Sequence, residues 1–316
     1  MKLIKQLAIA GVMTTMAAGT ANAQTIGLGT AQAGATMTMG QEIARIISQD
    51  TDYQMRSQGF ASTGQYGPRV NAGALEFGVS NIIEINYLRN GKELIEGRPQ
   101  EDLRLAMVIY NLPVTFYASE RSGITKPEEL VGKRVPNGWT SQPLGRWLWS
   151  GFFANVGIDY EDVNGVAVTA MPRQWDMFGQ NLLDANFSIF GGAFTDELAN
   201  RAGGITYLNV SDDPAAVKRQ QEFLPYSYVS SDRHPRTGEV VNNISYDFAL
   251  FTSARVPDEL VYDVVKALHA KADALVALYR AEGREVKFAV ESGVPFHAGA
   301  EKFYREVGMW PPKKQN

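Results

Sequence analysis

The sequence predicts an α/β protein of two lobes that face each other across a cleft. Three observations predict it. Short apolar strand segments alternate with helical faces along almost the whole chain, the pattern of sheets flanked by helices. Two extended segments, near residues 112–118 and 244–252, are placed to pass between two such runs. Three strand-to-helix junctions are built from glycine, other small residues and hydroxyls, and in α/β sheets the crevice outside the carboxyl ends of the strands is where ligands sit.

Taken in order, the chain opens with Lys2 and Lys5, an apolar run over residues 7–18 and the small pair Ala21 and Ala23. That is the three-part pattern of a secretory leader cleaved after Ala23, and the run is too short for a span of roughly 20 apolar residues. Residues 25–29 then read as a strand, and Met39, Ile43, Ile46 and Ile47 as one face of a helix. Residues 53–57 and 77–79 read as strands, with a helix over residues 66–74 between them. Residues 103–109 are apolar at most positions, as a strand buried on both faces requires. Residues 114–118 continue as an extended crossing segment. Thr125 and Glu128 have the spacing of a capping box, with Pro127 tolerated in the first turn.

Leu144, Trp147, Leu148, Gly151 and Phe152 mark the next helical face, and residues 163–168 and 187–190 the next strands. Asp213-Pro214 caps and starts a further helix. Residues 246–252 return as a strand, and an amphipathic helix starts at Pro257 through Val261, Val264, Val265 and Leu268. The remainder reads as helical to its end. The sheets are expected to be mainly parallel. The lobes are expected to comprise residues 24–112 with 246–316, and residues 113–245.

Composition narrows the function. A hydrophobic share of 45% is ample for real cores, so the chain needs no disulfides, and it has no cysteine. Thiol catalysis, cysteine-ligated zinc and iron–sulfur clusters are excluded. The three histidines, His234, His269 and His297, are far apart and show no metal-ligand or triad spacing. The formal net charge of −4 becomes more negative when the leader takes Lys2 and Lys5 with it. A mildly acidic chain without basic clusters points away from nucleic acid and from anionic lipid surfaces. No cofactor motif stands out. The first junction is neither a dinucleotide fingerprint nor a Walker loop, lacking both GxGxxG and the lysine.

Residues 27–36 form the first junction, with Gln32, Ala33 and Gly34 before a helix whose free N–H groups make an anion site. Residues 59–64 form the second, where Ser62 and Thr63 are placed either to bind a carboxylate or to cap the helix. Residues 138–143 form the third, offering Trp139, Thr140, Ser141 and Gln142. Tyr110, Phe116, Trp139, Trp175 and Phe194 fall at or beside loops and suit the apolar wall of a pocket, although Trp175 reads better as packing. Arg146 and Arg173 are candidate carboxylate clamps, with surface placement the commoner fate of an arginine. Glu76 and Glu84 lie near the first lobe's loops, where solvation on a helix surface accounts for both.

The order of several segments resembles the TAXI-type solute-binding proteins of TRAP (tripartite ATP-independent periplasmic) transporters. They are the opening Ile26-Gly27-Leu28-Gly29-Thr30, residues 59–64 with 69–81, residues 112–117 with 122–124 and 129–135, and Pro257-Asp258-Glu259-Leu260-Val261-Tyr262. The resemblance implies a type II periplasmic-binding-protein fold, two α/β lobes with two crossing hinge strands, and closure on an organic acid or amino acid. It places Thr30, Gln32, Ala33, Gly34, Ser62, Thr63, Ser80, Asn81, Thr140, Ser141 and Gln142 in the cleft. Family members that prefer amino acids carry a more glycine-rich first loop running into a Tyr-Tyr pair. Here Met37 and Met39 stand in that neighbourhood, which suits a more apolar carboxylate.

The expected protein is therefore a monomeric periplasmic receptor and not an enzyme. It would take a small organic anion to the membrane subunits of a TRAP-type transporter, with no cofactor and no nucleic-acid partner. The alternatives are a stand-alone sensor or adhesin, or an enzyme using the same cleft.

Overall fold

The computed structural model describes residues 24–32, 34–277 and 285–314. The expected leader, residues 1–23, and the candidate Ala33 lie outside the described residues.

Three strand–helix units open the chain: β1 (Gln24–Ala31) and α1 (Ala35–Asp50), β2 (Tyr53–Phe60) and α2 (Thr63–Asn71), then β3 (Phe77–Asn81) and α3 (Ile82–Asn90). The expected face of α1 holds: Met39, Ile43, Ile46 and Ile47 are buried with Ile26 and Leu28 of β1. The long strand β4 (Leu103–Ser119) follows, joining the two apolar segments that the sequence marks separately. Beyond it come β5 (Arg134–Gly138), α4 (Pro143–Val156), β6 (Asn164–Val168), α5 (Met171–Gly179), β7 (Ala185–Ile189), α6 (Ala193–Ala202), β8 (Ile205–Leu208) and α7 (Pro214–Phe223). The chain returns through β9 (Tyr228–Arg233) and β10 (Val240–Ser253) to α8 (Asp258–Ala270), α9 (Ala272–Ala277) and α10 (Ala298–Glu306).

One sheet runs through the molecule in the order β2-β1-β3-β10-β4-β7, with β8 also on β4 and β9 also on β10. The carboxyl-terminal part of β10, from Phe248 to Thr252, pairs with β3. Its amino-terminal part, from Val240 to Ser245, pairs with β9. Strand β4 pairs with β7 and β8 only from Val114 onward. Both long strands thus change neighbours near Leu112–Val114 and Ile244–Tyr246. They divide the sheet into a first half on β1–β3 and a second on β7–β9.

The sheet is mixed rather than mainly parallel. Pairs β1·β2 and β1·β3 are parallel, whereas β10 is antiparallel to β3, β4 and β9; β5 and β6 form a separate parallel pair. The reason lies in the crossing: a chain that leaves one half on β4 must return on a strand of opposite direction.

The second half is packed around aromatic rings. Phe116 of β4 stacks on Phe152 of α4 at 4.2 Å and meets the edge of Trp149 at 5.1 Å. Full burial of such rings stabilises by roughly 1.5–3 kcal/mol each.

Two local expectations change. Thr125 does not form a capping box with Glu128. Its N–H and Oγ1 both donate to Glu129 Oε2, at 2.7 and 3.1 Å, and a short 3-10 turn, Pro127–Leu130, starts after Lys126. Because the turn is capped at Lys126, one residue later than expected, its third residue is Glu129, and that side chain is the one that reaches back to the threonine. The expected helical tail is also interrupted. Residues 285–297 are mostly extended, and they bridge Phe288 to Val108 and Phe296 to Leu105. There they cover the edge of β4 that β7 and β8 do not reach, which satisfies backbone groups that would otherwise form an open sheet edge. The Asp213 cap is as expected, accepting from the N–H of Ala215 at 2.9 Å and of Ala216 at 3.3 Å. Among the described residues no helix is long and apolar enough to cross a membrane.

Candidate functional site

A cavity of ≈ 500 Å³ lies where the two halves meet. The first residues of five helices line it: Gly34 to Thr36 at α1, Ser62 and Thr63 at α2, Asn81 at α3, Gln142 and Pro143 at α4, Met171 and Pro172 at α5. Each helix start carries backbone N–H groups without helical partners and the positive end of the helix dipole. The crossing strands also contribute, with Leu112 and Val114 from β4 and Tyr246 and Phe248 from β10. Leu94, Leu144, Leu148, Trp175 and Phe187 complete a largely apolar wall.

Among the described residues, no lysine, arginine or histidine lines this cavity, and Glu84 is its one charged side chain. The expected clamps stand elsewhere. Arg146 pairs loosely with Glu93 at 3.8 Å, and Arg173 is exposed. The positive partial charge available to a ligand on this wall is therefore that of the helix starts.

The sequence reading of Glu84 as a solvated surface residue is overturned. Glu84 is half-buried on the cavity wall at the third position of α3. Its Oε2 accepts from Thr63 Oγ1 at 2.7 Å, Ser80 Oγ at 2.6 Å and Asn81 Nδ2 at 2.9 Å. Asn81 Oδ1 in turn accepts from the Glu84 N–H at 2.9 Å, capping the helix. Burial pushes the Glu84 carboxyl above its ordinary range, and the hydrogen bonds from Ser80, Thr63 and Asn81 pull it back. Burial, and then the Glu84 charge, pushes the phenols of Tyr66 and Tyr246 up.

The expected site residues divide into groups. Gly34, Ser62, Thr63, Asn81, Ser141 and Gln142 line the cavity. Thr30, Ser80, Tyr110 and Trp139 are buried behind it. Thr30 Oγ1 donates to backbone carbonyls within β1 and β2. Trp139 packs beneath α4, its ring where a Cβ on Gly145 would lie. Gln32, Thr140 and Phe194 are exposed and stand off the wall.

Ser62 stands before α2 but makes no capping bond, so capping does not occupy its hydroxyl. The Gln142 side chain is partly used, with Oε1 accepting from the Met171 N–H at 2.8 Å. The glycines of β1 serve packing: a Cβ on Gly29 would come within 2.7 Å of the Tyr66 ring.

Sequence reasoning missed Glu84, and Tyr246 and Phe248 on the crossing strand. The signal for Glu84 was present in Asn81-Ile82-Ile83-Glu84, a capping pattern at the end of a strand. Trp175 is on the wall rather than purely packed, held by Nε1 donating to the Phe187 carbonyl at 3.0 Å.

The mixed sheet, the two crossing strands and the cavity between the halves define the fold of periplasmic solute-binding proteins, and solved structures match it. MatC (Rpa3494) from Rhodopseudomonas palustris, with bound malate, aligns at a TM-score of 0.55 and 12% identity, covering 84% of this chain and 90% of that one. PhnD1 from Prochlorococcus marinus, in complex with methylphosphonate, aligns at 0.55 and 8% identity, covering 91% and 99%. Rpa4515 from R. palustris, with adipate, aligns at 0.53 and 14% identity, covering 90% and 93%. The chain belongs to the NMT1-like family, whose model matches residues 28–308.

Proposed function

We propose that the protein is a periplasmic solute-binding protein that captures a small organic anion in this cavity and delivers it to a TRAP-type membrane transporter, as a TAXI-type receptor. The observation that carries the reading is the convergence of five helix N-termini on one cavity between two sheet halves. Free N–H groups at helix starts favour an anion without any cationic side chain. The Ser62 and Ser141 hydroxyls and the N–H groups near Gly34 would take the carboxylate, while Trp175, Phe187 and Phe248 would hold its apolar part. Glu84 has no second carboxylate, histidine or lysine beside it on the wall among the described residues, which favours binding over acid–base catalysis.

In this reading residues 24–112 with 246–316 form one lobe and residues 113–245 the other. They close around the ligand by bending at the points where β4 and β10 change neighbours. The malate, adipate and methylphosphonate bound by structural neighbours are all anions, which supports the ligand class. The TRAP-type partner and the TAXI subfamily rest on the sequence resemblance, most specifically on the segments 112–117, 122–124 and 129–135.

The test is a thermal-shift screen of the purified protein against C4–C9 mono- and dicarboxylates, amino acids and aromatic acids. A ligand that binds only the folded state raises the midpoint. We expect a shift with one acid class that is lost in Ser141→Ala. No shift with any acid, on folded and ligand-free protein, would overturn the anion reading.

A further inference from the structure

Three polar residues that the sequence places in the cleft already serve a carboxylate of the protein's own. Thr63 Oγ1, Ser80 Oγ and Asn81 Nδ2 all converge on Oε2 of Glu84, at 2.7, 2.6 and 2.9 Å. Tyr66 does not compete, because its hydroxyl donates to the Val79 carbonyl at 2.6 Å. The Thr63 and Ser80 hydroxyls have one proton each, and both are spent on this oxygen. Three donors on a single oxygen lock the rotamer of Glu84 and suit an ionised carboxylate. Among the described residues, Oε1 accepts no hydrogen bond, and the side chain lies on the cavity wall. The cavity thus offers two opposite chemistries: N–H donors at the helix starts, and a charged acceptor at Oε1 of Glu84.

We propose that Glu84 is a specificity-determining residue, selecting organic anions that also carry a hydrogen-bond donor, a hydroxyl or an ammonium, over unsubstituted acids. This rests on the anion-binding function proposed above and narrows its ligand class. A ligand with a second ionised carboxylate at this wall would meet Oε1 with like charge, whereas a hydroxyl or ammonium would satisfy it. A hydrogen bond to a charged acceptor is strong enough to change affinity by about tenfold or more.

Glu84→Gln inverts the chemistry of this one position. Asn81 Nδ2 can only donate, and the Thr63 and Ser80 hydroxyls keep their present bonds by donating, so the amide oxygen takes the place of Oε2 and the amide NH2 turns to the cavity. The acceptor becomes a donor with almost no change in volume.

The experiment is calorimetric titration of the wild-type protein and Glu84→Gln with C4–C9 carboxylates, each beside its 2-hydroxy and 2-amino counterpart. We expect the wild type to favour the substituted member of the best pair by about tenfold or more. In Glu84→Gln that preference should vanish or reverse. If the wild type binds unsubstituted acids as tightly as their counterparts, the inference is overturned while the anion receptor stands. The same holds if folded Glu84→Gln keeps the wild-type ratio. If the wild type binds none of these acids, it is the anion-receptor reading itself that fails. The wild-type ratio is a test in its own right, independent of how well the variant folds.

Discussion

The carboxylate of Glu93 accepts a hydrogen bond from Nε1 of Trp147 at 3.0 Å, which ties the two halves of the molecule together beside the cavity. Glu93 belongs to a short turn after α3, next to the wall residue Leu94, and Trp147 is on α4. Tyr87 of α3 strengthens the tie: its ring meets Trp147 edge-on at 4.7 Å, and its hydroxyl donates to the Phe223 carbonyl of α7 at 2.5 Å. Glu93 holds a left-handed backbone at φ 51°, a conformation few non-glycine residues adopt.

The tie stabilises the arrangement in which the halves enclose the cavity. Glu93→Gln keeps the shape and weakens the acceptor, and Trp147→Phe removes the donor. Each should shift the population toward separated halves and weaken ligand by that fraction, about three- to tenfold. Most of the change should fall on the dissociation rate. Stopped-flow binding and small-angle scattering check this. Unchanged dissociation in both variants would show that the tie does not hold the halves.

A second tie crosses the other face of the sheet. Tyr246 and Phe248 face the cavity, so Asp247 between them faces away, and it is fully buried. Its Oδ1 accepts from Lys287 Nζ at 2.8 Å and from the Tyr228 hydroxyl at 3.1 Å. Lys287 comes from the extended segment on β4 and Tyr228 from β9 of the second half, so the cluster sits at the point where β10 changes neighbours. Lys287→Met removes the ammonium that lies 2.8 Å from a buried carboxylate and should destabilise, by up to about 3–5 kcal/mol. Adding Asp247→Asn should restore much of that loss. Urea denaturation of the two variants checks this, and equal stability of single and double variants would contradict it.

The alternation of strands and helices was readable because apolar periodicity reports local structure directly, as in Met39, Ile43, Ile46 and Ile47 of α1. The direction of the crossing strands was not. Nothing in residues 244–252 tells a parallel neighbour from an antiparallel one when every position is buried. The three junctions were readable from glycine and hydroxyl content, and five of the residues chosen on that basis, Gly34, Ser62, Thr63, Ser141 and Gln142, line the cavity. What failed was the step from donor to ligand. Ser80 and Thr63 have the right chemistry, but only their approach to Glu84 in space shows that their protons are taken. Trp139 and Tyr110 look like pocket aromatics by position, and they are core: Tyr110 is buried within β4, and Trp139, just past β5 with a left-handed backbone at φ 60°, packs beneath α4.

Glu84 should make the ligand-free protein less stable as pH rises. Its folded-state carboxyl titrates above the ordinary value of 4.5, since burial outweighs the hydrogen bonds from Ser80, Thr63 and Asn81. The folded state therefore holds its proton more tightly than the unfolded one. That contribution is fully present below pH 4.5 and is lost as pH rises through the folded value. Tyr66 and Tyr246, the titratable groups nearest to it, are pushed up themselves and stay neutral across this range. Glu84→Gln has no proton to lose, so its stability relative to wild type should grow from pH 4.5 toward neutrality. Denaturation midpoints of the two proteins across that window decide it, and parallel curves would refute it.

His297 should act in the opposite sense on the acid side. Its Nδ1 accepts from the Gly299 N–H at 3.1 Å as the cap of α10, and its Nε2 donates to the Val256 carbonyl at 3.0 Å. That pairing needs the neutral ring, because a proton on Nδ1 abolishes the cap. Burial, with a smaller push from Arg104, lowers its pKa below the ordinary 6.5, against the opposing pull of Asp258 and the Val256 carbonyl. The folded state thus binds its proton less readily than the unfolded one. The contribution is present above pH 6.5 and is lost as pH falls through the folded value. His297→Asn keeps a capping acceptor without a titrating group. It should lose about 1 kcal/mol near pH 7.5 from packing and the lost Val256 bond, yet decline less than wild type below pH 6.5. Thermal midpoints measured from pH 5 to 8 check this. A variant that loses stability on acidification as steeply as the wild type would place the acid sensitivity elsewhere.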